Sequence, residues 1–167
     1  HILNISLIKN AEVIALVDPH EDSLNQCKEI LKTKVSCFKD HFEMIEKNIV
    51  DVYLISSPNF THNEILKDVI KTKKHILVEK PLCTNTKDCF EIKNLTKDYP
   101  SIFWTAMEYR YMPPVSKFIN EIHNNKIGDL KTLTIREHRF PFLKKVNDWN
   151  RFEKNTGGTL VEKCCHF

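Results

Sequence analysis

The sequence predicts an α/β protein built on a parallel sheet with helices on both faces. Two observations carry that prediction. Short β-rich runs alternate with amphipathic segments from residue 12 to residue 107, and the loops between them are short. A third observation qualifies it: only three glycines occur, two of them adjacent, where such folds normally place glycines early.

The elements follow in order. The opening HILNISLIKN sets Ile2, Leu3, Ile5 and Leu7 on a helical stripe without a start signal, and reads as a helix already under way. EVIALV (12–17) is a buried-strand run ended by Asp18-Pro19. Leu24, Cys27, Ile30 and Leu31 give residues 20–32 a helical spacing. VSCF (35–38) reads as a short strand, HFEMIEK (41–47) as a short helix and DVYLIS (51–56) as another buried strand. THNEILKDVIKT (61–72) is a helix with Thr61 as cap and Glu64 three residues on, the pattern of a capping box. HILV (75–78) is a strand, TKDCFEIKNLTKD (86–98) a helix and IFWTAM (102–107) a strand.

Beyond residue 107 the pattern changes. PVSKFINEIHNNKIGDL (114–130) reads as a helix ending near Asn124-Asn125, with Gly128 in the following turn. KTLTIREHRF (131–140) alternates like a strand with one exposed face. Residues 141–158 are irregular and polar, and GGTLVEKCCHF (157–167) reads as the first turns of a new helix. The chain therefore divides into residues 1–110, one α/β domain, and residues 111–167, the beginning of an α+β second domain.

Composition excludes several classes. With 41% hydrophobic and 28% charged residues a sizeable core is possible and disorder is disfavoured. Basic residues outnumber acidic ones only 25 to 22 and form no stripe, which argues against nucleic acid as a partner. Lys71, Lys73 and Lys74 cluster as a solvated helix end would. No apolar run approaches the ~20 residues of a membrane span, and the opening lacks a secretory pattern. The six cysteines form no C-x-x-C pair and no ligand-spaced cluster with histidine, so no metal site is expected. Buried, reduced thiols of a cytoplasmic protein are the economical reading.

The glycine shortage has a structural meaning. Ligands on open parallel sheets sit beyond the carboxyl ends of the strands. In dinucleotide-binding sheets an acid ends the second strand, ~20 residues after a glycine-rich phosphate turn. Asp18 takes that acid's place, which puts the glycine turn at or before residue 1. The capless first helix has the same cause. The fold is then a Rossmann-type parallel sheet lacking its first strand and glycine turn. Taken alone, Asp18 reads equally well as the opening of an Asp-Pro turn.

Three stretches together resemble the Gfo/Idh/MocA oxidoreductase family, relatives of glucose-fructose oxidoreductase and inositol dehydrogenase. SSPNFTH (56–62) is similar to the family's Thr/Ser-Pro-Asn-x-x-His, VEKP (78–81) to its Glu-Lys-Pro, and GGTLVEKCCHF to the glycine-rich helix of its second domain. YRYMPP (109–114) and IGDLKTL (127–133) are similar to further landmarks of the family, in the same order. The resemblance covers essentially the whole chain.

What the resemblance implies is specific. The activity is an NAD(P)-dependent transfer of a hydride between a sugar, polyol or cyclitol alcohol and the nicotinamide, with NAD expected rather than NADP because a 2′-phosphate would meet the charge of Asp18. Lys80, at a strand end, holds the reacting oxygen and stabilises its alkoxide character. Pro81 fixes the turn that aims it, with a bond that is often cis in relatives, and Glu79 orients the pair. Glu162 and His166, four apart and helical, share a face as an orienting carboxylate and a general base. The family carries Asp where this chain has Glu162 and usually glycine where it has Cys164. Lys163 binds an acidic substrate group or is solvated. Asp18, Ser57, Pro58, Asn59, His62, Glu79, Lys80, Pro81 and Arg110 are the expected cofactor contacts, and the loop at Trp149 and Asn150 approaches the substrate.

Plainer readings stand beside these. They make Lys80 a surface lysine, His166 a structural histidine, His62 a polar helix residue after the Thr61 cap, and Arg110 a salt-bridge partner. A different class of function is a family-derived binding or scaffold protein without turnover. The 167-residue chain alone is expected to hold NAD weakly, because the phosphate turn is absent, and to be inactive by itself. Homo-oligomerisation is expected through a second-domain sheet that lies beyond these residues.

Overall fold

The computed structural model describes residues 1–138 and 143–166. Two parallel sheets form. β1 (Ala15–Val17) pairs with β2 (Ser36–Phe38), while β3 (Val52–Ile55), β4 (His75–Glu79) and β5 (Phe103–Ala106) pair in that order. The register sets Ile55 beside Val78 and Glu79 beside Ala106. The expected single sheet is thus divided. The division falls between β1 and β3, the place that the strand order of dinucleotide-binding sheets gives to the first strand.

Helices alternate with the strands as the periodicity predicts. They are α1 (Ile2–Ser6), α2 (Glu21–Leu31), α3 (His41–Lys47), α4 (His62–Ile70), α5 (Thr86–Leu95) and α6 (Pro113–His123). α4 buries Leu66, Val69 and Ile70, three positions on one helical face. They pack with Tyr53 and Ile55 of β3, Ile76 and Val78 of β4, and Ile92 of α5 into the main core. Burial of an aliphatic side chain of this kind stabilises by roughly 1.5–3 kcal/mol.

Helix ends show how a glycine-poor chain stops and starts. Asp40 accepts from the Glu43 N–H, and Asn85 from the Asp88 N–H, each at 2.9 Å. At the other ends Lys32 (φ 54°) and Asn48 (φ 48°) take the left-handed conformation that glycine usually supplies. Asn tolerates this through its short polar side chain; for Lys32 the cost is about 1 kcal/mol.

Three expectations are corrected. Thr61 does not cap α4 with its side chain. Its hydroxyl lies 2.7 Å from Ser57 Oγ and 2.8 Å from the Pro58 carbonyl, because a tight turn over Asn59–Thr61 already leads into the helix, and the capping box with Glu64 does not form. Residues 131–138 form no strand and are exposed; an alternating run needs a partner to pair with, and none is present among the described residues. The rest of that run, 139–140, lies outside the described residues. The segment read as irregular contains a turn at Val146–Arg151 and α7 (Glu153–Thr156), followed by α8 (Thr159–Cys164) where a helix was expected. Most of the other strands and helices are shorter than predicted by one to three residues at their ends, as at α5, predicted over 86–98 and formed over Thr86–Leu95, whereas α3 matches its predicted span and β4 runs one residue further, to Glu79. Among the described residues no helix is long and apolar enough to cross a membrane.

The six cysteines are all free, and their environments differ. Burial, with Cys89 as a close neighbour, pushes the Cys83 thiol up to about 12, whereas Cys164 is exposed. Timed alkylation at mild alkaline pH is expected to modify Cys164 first and Cys83 only on unfolding; equal rates at the two would contradict this packing.

Candidate active site

Three strand ends and one helix build the site. β3, β4 and β5 run parallel, so their carboxyl ends open on one edge, where sheets of this class bind ligands. Lys80 is the first residue after β4. Its backbone N–H donates to Glu79 Oε2 at 3.0 Å, and its ammonium donates to the carbonyl oxygen of Glu162 at 2.9 Å. That carbonyl lies in the last turn of α8, where no intrahelical N–H can reach it. The lysine satisfies an orphaned acceptor at the helix end that favours a cation.

α8 is seated by its approach. Gly157 (φ 77°) and Gly158 (φ 88°) precede it, and a Cβ on Gly157 would lie 2.2 Å from the Thr84 carbonyl oxygen. Only glycine lets this backbone pass the loop that follows Lys80-Pro81. Trp149 packs edge-on against Phe60, with ring centroids 6.3 Å apart, and the Asn155 amide donates to the Trp149 carbonyl at 3.0 Å. An open cleft of about 580 Å³ runs beside Glu162, lined also by Asn150, Arg151 and Glu153.

The contacts of Glu162 and His166 differ from the expected pair. Glu162 is buried, but its Oε1 meets Lys163 Nζ at 3.0 Å. Lys163 is therefore not a solvated bystander: its side chain is 18% exposed. Among the described residues a carboxylate brought to His166 is that of Glu108, Oε1 to Nε2 3.6 Å, in the turn after β5. The His166 ring stacks flat on Tyr109, centroids 4.0 Å apart and planes at 10°. Burial pushes the nearby Cys165 thiol up, against the lowering effect of Lys80, and its Sγ lies 3.7 Å from the Glu162 carbonyl oxygen.

The expected cofactor contacts spread along the same edge and beyond it. Asp18 follows β1, and its Oδ1 accepts from the His20 N–H at 2.8 Å, so the Asp-Pro turn is also formed. Asn59 is buried, with no partner for its Nδ2 among the described residues. His62 is fully enclosed, its ring nitrogens turned to the carbonyls of Pro81 and Ser57. Glu79 holds the Lys80 backbone and His1 Nε2 (2.6 Å) rather than the Lys80 ammonium. Pro81 is buried, and the Lys80–Pro81 bond is cis. Arg110 is exposed and makes no ion pair among the described residues.

Comparison with known proteins identifies the architecture. The profile of the oxidoreductase family described as "NAD-binding Rossmann fold" matches residues 1–107, and that of its C-terminal alpha/beta domain matches residues 119–167. The chain belongs to the Gfo/Idh/MocA oxidoreductase family. It is 33% identical over 135 residues to a myo-inositol 2-dehydrogenase of Thermotoga maritima, covering 81% of this chain and 40% of that protein. It is 31% identical over 97 residues to a scyllo-inositol 2-dehydrogenase (NADP(+)) of Bacillus subtilis, covering 58% and 29%. A solved scyllo-inositol dehydrogenase of Lactobacillus casei, with bound NAD(H) and scyllo-inositol, shares the fold at a TM-score of 0.70 and 20% identity, over 77% of this chain and 38% of that one. The chain spans about 40% of the length of its inositol-dehydrogenase relative.

The family implies a nicotinamide dinucleotide, and the residues present fit one half of it. The buried, unpartnered Nδ2 of Asn59 is a donor awaiting an acceptor at the carboxyl edge, and Lys80 lies after the neighbouring strand. Among the described residues the first glycine is Gly128, so the pyrophosphate half is not represented in them.

Sequence reasoning overlooked Glu108 as the carboxylate beside His166, and Tyr109 as its stacking platform. Tyr109 lies in a stretch already notable for its resemblance, but stacking leaves no periodic signal. Replacement of Gly157 by alanine is expected to destabilise the protein by about 1–3 kcal/mol, since it adds left-handed strain to a backbone clash. At Gly158 an added Cβ would meet only the flexible Glu153 side chain at 3.8 Å, so the strain alone remains. Urea unfolding of both variants checks this, and a larger loss at Gly158 would contradict it.

Proposed function

We propose that this chain forms the cofactor-binding part and the start of the substrate-binding part, divided near residue 110, of an NAD-dependent dehydrogenase acting on a polyol or cyclitol alcohol. One observation carries the reading: the hydrogen bond of Lys80 Nζ to the Glu162 carbonyl joins the strand-end lysine to the helix that bears Glu162 and His166. The inositol dehydrogenases among its relatives favour the substrate class.

A nicotinamide, when bound, supplies the hydride acceptor. The chain's own residues supply the rest. Lys80 polarises the reacting oxygen and stabilises the negative charge that develops on it as the hydride leaves. His166 takes the hydroxyl proton at Nδ1, and Glu108, facing Nε2, stabilises the resulting imidazolium. Tyr109 holds the ring plane, and Lys163 neutralises Glu162 beside the cleft. Asn59, Ser57 and Pro58 hold the nicotinamide side, with Arg110 at its rim. Asp18 receives the ribose hydroxyls and disfavours a 2′-phosphate, although one relative uses NADP(+). The six free cysteines favour a reducing, cytoplasmic setting, and self-association through the second domain follows the same reading. The pairing of Glu162 with Lys163 instead of His166 favours a second reading, binding without turnover.

One experiment separates them. In the protein carrying this chain, Lys80→Met is expected to leave NADH affinity unchanged and to lower kcat for myo-inositol by about 10²–10³, as loss of one oxyanion donor does. Undiminished turnover in the variant would reject the role of Lys80. Absence of turnover in the unmodified protein, with cofactor and polyol bound, would favour the second reading.

A further inference from the structure

The ring of His62 is fully buried, at 0% exposure, and both of its nitrogens face backbone carbonyl oxygens: Nδ1 lies 2.8 Å from Pro81 O and Nε2 lies 3.0 Å from Ser57 O. A neutral imidazole carries one N–H and cannot donate twice; only the doubly protonated ring does. Burying a charge is costly unless it is paired and hydrogen-bonded; here the two carbonyls supply the hydrogen bonds, and bonds from a charged donor are the stronger kind. A ring enclosed in this way has no face left for a cofactor.

The two carbonyls belong to the segments that leave neighbouring strands. The parallel ladder of β3 and β4 ends at Ile55 beside Val78, so backbone pairing no longer ties residue 57 to residue 81. We propose that His62 is a positioning residue that donates from both ring nitrogens, Nδ1 to Pro81 and Nε2 to Ser57, and thereby fixes Lys80 relative to the Ser57–Asn59 loop. The proposal rests on the catalytic reading of Lys80. Three constraints then converge on that lysine. Glu79 holds its N–H, His62 holds the carbonyl of the next residue, and the Glu162 carbonyl receives its ammonium. Nδ1 serves the catalytic side and Nε2 serves the cofactor side, so the two bonds have separable effects.

Two amide substitutions separate them. Asparagine places its amide near the Nδ1 position and glutamine near the Nε2 position. His62→Asn is expected to keep kcat within about threefold while the KM for NAD rises, whereas His62→Gln keeps that KM and loses kcat by up to roughly 10²-fold, the cost of about 1 Å of misplacement. His62→Phe, with neither donor, loses both. Equal losses in the Asn and Gln variants, scaling with their loss of Tm, would overturn the proposal and leave His62 a core residue. Nitrogen-15 NMR of histidine-labelled, unsubstituted protein at neutral pH gives a test that no variant's folding can spoil. Protonation of both His62 nitrogens is expected, and a bare ring nitrogen would overturn the two-donor clamp. Failure of the catalytic reading would show as absent turnover in the unsubstituted protein, and the NMR result would still decide the clamp.

Discussion

The parallel ladder of β3, β4 and β5 is the constraint on which everything else depends. Parallel pairing sends three carboxyl ends to one edge, and each delivers a different set of side chains there. β3 leads into Ser57 and Asn59, β4 into Lys80 and Pro81, and β5 into Glu108 and Tyr109. An antiparallel arrangement of the same segments would scatter these groups over two edges. The ladder is held by a dry core in which Ile76 and Val78 of β4 are at most 1% exposed, so the strand that carries Lys80 is the most enclosed of the three.

Among the described residues, the second half of the site is attached by contacts that are each small in energy. α8 reaches the edge through the lysine on its orphaned carbonyl, the stack of His166 on Tyr109, and the close pass of Gly157 over Thr84. None involves a large apolar interface. Such a junction fixes geometry through complementary shape and hydrogen bonding, and its precision depends on residues that cannot be exchanged, Gly157 foremost.

Much of this was legible in the residues themselves. Strand and helix periodicity located β1 to β5 and α2 to α6, and with them the place of Asp18 directly after β1. The strand-end lysine and the helix bearing Glu162 and His166 were legible through resemblance. Three kinds of feature were not. Competition for a single carboxylate is settled by side-chain reach, so nothing in the spacing of Glu162, Lys163 and His166 reveals that Glu162 turns to its neighbour. The approach of Glu108 to His166 spans most of the second segment, beyond any local pattern. Burial of His62 is a tertiary fact; the helical pattern of α4 is compatible with either face being covered.

The central claim is that Lys80, from a strand end, and His166, from a helix far along the chain, act as one unit on one proton and one hydride. The most direct measurement is a double-mutant cycle on kcat/KM for polyol oxidation, with Lys80→Met and His166→Gln made singly and together. Groups that act as a unit are strongly non-additive. The account predicts that the double variant is about as impaired as the worse of the two single variants; losses that simply multiply would contradict it.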